Sequence, residues 1–378
     1  MRPGGRDLMR RELTLPAPTR KPRASATPIR LGFVPLNDCA PLVVAQERGM
    51  FAKAGVEVRL SRELGWASVR DKLVHGELDA AHAPCGLPLA LALGLHCVRT
   101  ETVAALVLNL NGNAITLSED LWKAGVRDAV TLRPFLAANR GRRTLTFGTV
   151  SPYSTHTMLL RRWLTQAGAD FEKDVRFVVV PPQQMAVNLA AGHLDGFCAG
   201  DPWNSMAVAG GRGWIPATSM DLAPLHPEKV LLARADLVAR RGPEHLGMLV
   251  ALLEACAFCD DPVNHPEVVE ILADRRYLAL PAEVIRRGFP GDEGFDHGHG
   301  RRAPAPDFMV FHRDDANTPS ADKSAWIARH LLDGAAKTAF TPAQLATIFR
   351  TDLHTQARAL RAASLNHDPE TETRLLSA

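Results

Sequence analysis

This chain of 378 residues has no long apolar run, no strong charge of either sign and no cysteine framework. Its longest apolar stretches, Leu87–Leu95 and Val103–Leu108, fall well short of the ~18 residues that a membrane helix needs. The formal charge of +3 is too small for the basic surface that nucleic acid demands. Direct contact with nucleic acid or membrane is therefore not expected. Cys39, Cys85, Cys97, Cys198, Cys256 and Cys259 sit in apolar segments without disulfide-like spacing and read as core thiols of a reducing compartment. Cys256-Ala257-Phe258-Cys259 lacks a second Cys pair or a nearby His, and Gly210-Gly211-Arg212-Gly213 lacks the Lys-Ser/Thr of a phosphate loop. With no nucleophile elbow and no ordered catalytic set, neither an enzyme, a cofactor nor a metal is expected. Asp296-His297-Gly298-His299 lies in a Gly-, Pro- and His-rich stretch, Gly288–Pro306, that reads as a loop.

The first 28 residues are basic, Pro-rich and unpatterned, and read as a disordered arm. Arg10-Arg11 resembles the start of a twin-arginine signal, but Glu12-Leu13-Thr14-Leu15-Pro16 supplies no apolar core and no clean cleavage site precedes Ile29. The expected address is the cytoplasm.

What the chain does contain is a repeat. Gly76-Glu77-Leu78-Asp79 and Gly192-His193-Leu194-Asp195 each follow an amphipathic helical pattern, turn at a glycine and enter a short apolar strand closed by a proline. Chance recurrence in a large α/β protein is the plain alternative. Two similar lobes explain it better, with the strand ends Ala83-Pro84-Cys85 and Gly200-Asp201-Pro202 facing each other across a cleft, as in a solute-binding clamshell. Helix and strand patterns alternate accordingly, giving residues 29–112 as the first part of lobe I, 113–216 as lobe II and 217–378 as the return to lobe I with a helical C-terminal region. The crossings fall near Leu110–Leu117 and Trp214–Thr218, and a single helix is expected over Cys39–Ala54.

Five residues converge on that cleft. Trp66 opens a helix, Asn113 sits at the first crossing, His156 lies in the first turn of a helix, Gly200 ends the repeated strand and Lys229 begins the returning one. Taken singly, such a His is more often a cap, such a Trp more often core and such a Lys more often solvated. Together they offer a cation, a helix N-terminus, an amide, a close backbone approach and a flat face, which suit a small planar anion of single charge.

Several strings in order resemble one family, the nitrate- and bicarbonate-binding proteins of ABC uptake systems of the NrtA and CmpA type. They are Gly32-Phe33-Val34-Pro35-Leu36, Trp66-Ala67-Ser68-Val69-Arg70-Asp71, Asn111-Gly112-Asn113-Ala114-Ile115, Val180-Pro181-Pro182-Gln183-Gln184-Met185, Asp195–Asn204 and His226-Pro227-Glu228-Lys229. The resemblance implies an α/β, two-lobed periplasmic-binding-protein-like (type II) clamshell. It also implies ligand contacts at Trp66, Asn113, His156, Gly200 and Lys229. The family usually has Gln where this chain has Asn113, and the bicarbonate branch replaces the lysine with a calcium-holding carboxylate, so Lys229 points to nitrate or nitrite without a metal. A cytoplasmic chain of this pattern resembles the NasS type, a nitrate and nitrite sensor whose partner is an RNA-binding, ANTAR-domain antiterminator of the NasT type. The alternatives are a nitrate-binding protein of solute uptake, and a pyrimidine synthase of thiamine biosynthesis, whose Cys-rich iron motif is not matched here.

Overall fold

The computed structural model describes residues 27–332, 339–365 and 376. The expected basic arm lies outside them, except for its last two residues. The chain opens with β1 (Ile29–Phe33), β2 (Val58–Arg62), β3 (Ala80–Pro84) and β4 (Thr102–Asn111). It then builds a second sheet from β5 (Asn113–Ser118), β6 (Leu145–Thr149), β7 (Val175–Val179), β8 (Gly196–Gly200) and β9 (Gly213–Thr218). It returns as β10 (Pro227–Arg234), forms a ribbon of β11 (Phe295–Gly298) and β12 (Arg301–Ala303), and adds β13 (Met309–Val310). The larger sheet has the order β13-β4-β10-β3-β1-β2 and the smaller β7-β6-β8-β5-β9. This is the two-lobed α/β clamshell.

Both sheets contain the same unit. The parallel order β2-β1-β3 in lobe I matches β7-β6-β8 in lobe II, and in each the third strand is flanked by an antiparallel neighbour, β10 or β5. Helices that join the parallel strands bury one apolar stripe, as Trp66, Val69 and Leu73 do in Trp66–Val74. The interior strand β4, between β13 and β10, is buried along its full length.

The repeated turns are built alike. Gly76 and Gly192 have φ of 71° and 74°, the left-handed conformation that glycine enters without a Cβ penalty. The Asp79 carboxylate then accepts the Arg30 backbone N–H at 2.8 Å, and that of Asp195 accepts the Thr146 N–H at 2.7 Å. Each also meets an arginine, Arg30 or Arg143.

Several boundaries differ from expectation. The helix expected over Cys39–Ala54 breaks at the left-handed Gly49 into Ala40–Glu47 and Met50–Lys53. The second crossing comes later than Trp214–Thr218, because β9 pairs with β5 as the last strand of lobe II and the helix Ser219–Leu222 follows. The chain crosses at Asn111–Gly112 and Ala223–His226, tied by Asn111 N–H to the His226 carbonyl at 3.1 Å. The stretch Gly288–Pro306 is no plain loop: β11 and β12 pair, His297 faces the Ile215 carbonyl at 3.1 Å and His299 stacks on Trp122. Its two histidines are spent on packing.

Gly242–Asp260 is long and apolar enough to cross a membrane by length and composition, which the sequence reading passed over. Two thirds of its apolar window is buried, against Ala40–Glu47 and Thr351–Leu365 among others, as in a core helix. All six cysteines are free, five of them buried.

Candidate functional site

The two lobes meet over the carboxyl ends of β3 and β8. Asn37 N–H donates to the Asp201 carbonyl at 2.8 Å, Trp203 Nε1 to the Pro35 carbonyl at 3.0 Å and Gln183 Nε2 to the Leu64 carbonyl at 2.6 Å, each bond joining one lobe to the other. Residues of both lobes share one apolar cluster, including Leu36 and Trp66 from lobe I with Met185 and Trp203 from lobe II. The cleft is closed.

All five expected residues lie at this junction. Lys229, His156, Asn113 and Gly200 are fully buried, and Trp66 nearly so. Lys229 Nζ stands 5.6 Å from the centre of the Trp66 ring, within reach of a cation–π attraction. Asn113 pairs in register with Gly200 between β5 and β8. A Cβ on Gly200 would lie 3.5 Å from both Asn113 Oδ1 and Asp38 Oδ2, so its missing side chain lets the lobes approach. His156 sits in the first turn of Thr155–Gln166, whose Ser154 cap accepts the Thr157 N–H. The Trp66 indole N–H, Asn113 Oδ1 and both His156 ring nitrogens are buried with no hydrogen-bond partner among the described residues.

The sequence reading missed the carboxylates. Lys229 Nζ contacts Asp38 Oδ2 at 2.7 Å and Glu228 Oε1 at 2.5 Å. Asp38 also meets His82 Nε2 at 2.8 Å. Glu228 Oε2 accepts Asn113 Nδ2 at 2.7 Å and the Thr155 hydroxyl, with His226 Nε2 at 3.2 Å. His156 Nε2 approaches Glu228 Oε1 to 3.6 Å. Strand alternation would send Glu228 and Lys229 to opposite faces, but irregularities between Pro227 and Lys229, and again before Val230, let both side chains serve the cleft. The one available signal was the adjacency of the pair in His226-Pro227-Glu228-Lys229.

Burial penalises every charge here, and the ion cluster offsets it. Desolvation pushes Glu228 and Asp38 up, yet Lys229 with its neighbouring histidines outweighs it and holds both below the usual carboxylate range. Lys229 is pulled down by burial but held above its ordinary value by the two carboxylates. The cation is permanent. His156 is driven down to about 4, chiefly by burial, so its imidazole is neutral at pH 7. Among the described residues no group of three His, Cys, Asp or Glu side chains could hold a metal ion.

The geometry is matched by known proteins. Residues 23–273 match the NMT1-like family. The chain is 41% identical over 304 residues to the nitrate import ATP-binding protein NrtC of Synechocystis sp., covering 80% of this chain and 45% of that protein. It is 31% identical over 309 residues to the nitrate/nitrite binding protein NrtA of Synechococcus elongatus, covering 79% of this chain and 69% of NrtA. It thus spans less than half the length of the ATP-binding relative. The crystal structure of the periplasmic nitrate-binding protein NrtA from Synechocystis superposes with a TM-score of 0.82 at 27% identity, covering 93% of this chain and 98% of that one. On these matches the chain belongs to the NMT1-like family, with NrtA proteins among its homologues.

Proposed function

We propose that this protein binds nitrate or nitrite between its lobes. The observation that carries the reading is Lys229: a permanent cation, fully buried, beside the Trp66 ring and within one cluster with Asn113, His156 and the bare backbone of Gly200. Such a wall suits a flat anion of single charge. Sulfate carries four oxygens and a double charge, which so few donors leave unpaired in a buried cleft. Calorimetry of the protein with nitrate, nitrite, bicarbonate and sulfate should give binding for the first two and none for sulfate. Sulfate competing with nitrate at similar concentration would overturn the reading.

For the output, the protein acts as a cytoplasmic sensor of nitrate assimilation that holds an ANTAR-domain antiterminator in the open state and releases it on closure. Two observations support this. Identity is higher to part of a nitrate import ATP-binding protein than to the NrtA relatives, so relatives of this chain extend beyond solute-binding proteins. All six thiols are free, as suits a reducing compartment. Delivery of nitrate to an importer is the second reading, favoured by the close superposition on periplasmic NrtA. Linkage separates them: a partner that prefers the open state must weaken nitrate binding by the factor that nitrate weakens the partner, about 5- to 150-fold. Co-purification with the antiterminator that is lost on adding nitrate favours the sensor; a complex indifferent to nitrate, or none, favours uptake.

A further inference from the structure

The closed cleft holds more negative than positive fixed charge. Asp38 and Glu228 face the single cation Lys229, so with all imidazoles counted neutral the site stands at −1. The other titratable groups around it are His82 from β3, Cys85 just beyond, His156 from the helix Thr155–Gln166, Cys198 on β8, Asp201 after it and His226 before β10. Burial pushes both thiols well up, so they carry no charge. Asp201, whose carboxyl is pushed up by burial to about 6, accepts the Ser205 N–H and hydroxyl through its two oxygens rather than joining the Lys229 cluster. An entering monoanion would take the net charge from −1 to −2 in a buried site.

The incoming anion also meets a competitor. Glu228 is itself a flat pair of oxygens, and it already holds the Lys229 ammonium, the Asn113 amide and the Thr155 hydroxyl. Two histidines flank it. His226 lies between the Ala223 carbonyl, 2.8 Å from Nδ1, and Glu228 Oε2, 3.2 Å from Nε2. Both neighbours can accept a hydrogen bond, so the ring is tied to the crossing and to Glu228 at once. His156 has two unpartnered nitrogens and lies 3.6 Å from the other Glu228 oxygen.

We propose that anion binding takes up a proton at His156 beside Glu228, and that Glu228, by competing for the donors, makes the affinity depend on pH. The inference rests on the cleft being an anion site, as read above. A monoanion about 4 Å from an imidazole favours its charged form by roughly three pH units at an effective dielectric constant near 20. His156, at about 4 without ligand, would then titrate near neutrality. A group whose pKa rises on binding gives affinity that is greatest at low pH and declines by up to tenfold per unit as pH rises through the interval, then levels off.

The test is calorimetry of the full chain with sodium nitrate from pH 5.5 to 8.5, at each pH in two buffers of different ionisation enthalpy. The wild type should take up close to one proton near pH 6 and lose at least tenfold in affinity by pH 8. Glu228→Gln should bind at least tenfold more tightly than the wild type at pH 8. His156→Gln, checked for folding by circular dichroism, should bind with less proton uptake and a shallower pH dependence than the wild type. A wild-type affinity flat with pH and free of buffer-dependent heat overturns the proposal, as does a His156→Gln variant that keeps the wild-type slope. Loss of nitrate binding by all three folded proteins at every pH is a different result, and it sinks the anion site itself.

Discussion

Lobe I and lobe II use one backbone plan and opposite chemistry. From the β2-β1-β3 and β7-β6-β8 order down to the aspartates that clamp Arg30 N–H and Thr146 N–H, the two halves correspond. At the cleft they part. Lobe I presents Asp38, His82, Glu228 and Lys229, whereas lobe II presents Asn113, Thr155, a neutral His156 and the bare backbone of Gly200. Removing water from a wall of amides and hydroxyls costs far less than removing it from charges. The charges stay on one lobe, prepaired with one another, while the neutral wall closes over them. Closure then need not assemble an ion pair between moving bodies.

The largest expected effect comes from breaking the charged wall. Lys229→Met removes a charge-assisted contact of about 1.5 to 3 kcal/mol, or about 10- to 200-fold in nitrate affinity. It also leaves Asp38 and Glu228 without their shared cation in the interior, which costs about 3 to 5 kcal/mol of stability. Calorimetry and urea unfolding read the two losses separately, and an unchanged nitrate isotherm would remove Lys229 from the site. Gly200→Ala tests the neutral wall. Its methyl would sit 3.2 Å from Leu36 Cδ2 and 3.5 Å from Asp38 Oδ2, both on the opposite lobe. Overpacking of about 1 to 3 kcal/mol should fall on closure, so nitrate affinity drops about tenfold while thermal unfolding of the ligand-free protein hardly moves. A large fall in melting temperature with unchanged affinity would place that strain within lobe II instead.

The repeat was legible because it rests on local requirements. A left-handed turn asks for Gly76 and Gly192, and Asp79 and Asp195 each reach a backbone N–H of the neighbouring strand. The five residues Trp66, Asn113, His156, Gly200 and Lys229 could be brought together from topology alone, since each falls at a strand end or a helix start. The carboxylates could not. Asp38 sits in a 3-10 turn, Asn37–Cys39, just ahead of the helix expected from Cys39, and Glu228 reaches the cleft through irregularities of β10 that no period-two pattern reveals. The ribbon of β11 and β12 was hidden by the glycines that shape it.

The smallest effect tests the equivalence of the two turns. Asp79→Asn and Asp195→Asn each weaken a charge-assisted bond to a strand N–H and a contact with a half-exposed arginine. After discounting for solvent, each should cost about 1 kcal/mol, within about 0.5 kcal/mol of the other, with nitrate affinity unchanged. Asp79 adds a pH signature. Burial pushes its carboxyl up, but the Arg30 side chain and backbone N–H outweigh this and hold it below the usual range. A carboxyl lowered on folding stabilises above its unfolded value of about 3.9, and that contribution is lost as pH falls through the folded value. Asp79→Asn should therefore flatten the acid limb of the urea midpoint below about pH 4 and leave the midpoint's slope between pH 5 and 8 unchanged. If Asp79→Asn instead costs several times more than Asp195→Asn, the first turn supports lobe I in a way that the second does not support lobe II. The likeness of the two lobes would then end at the backbone.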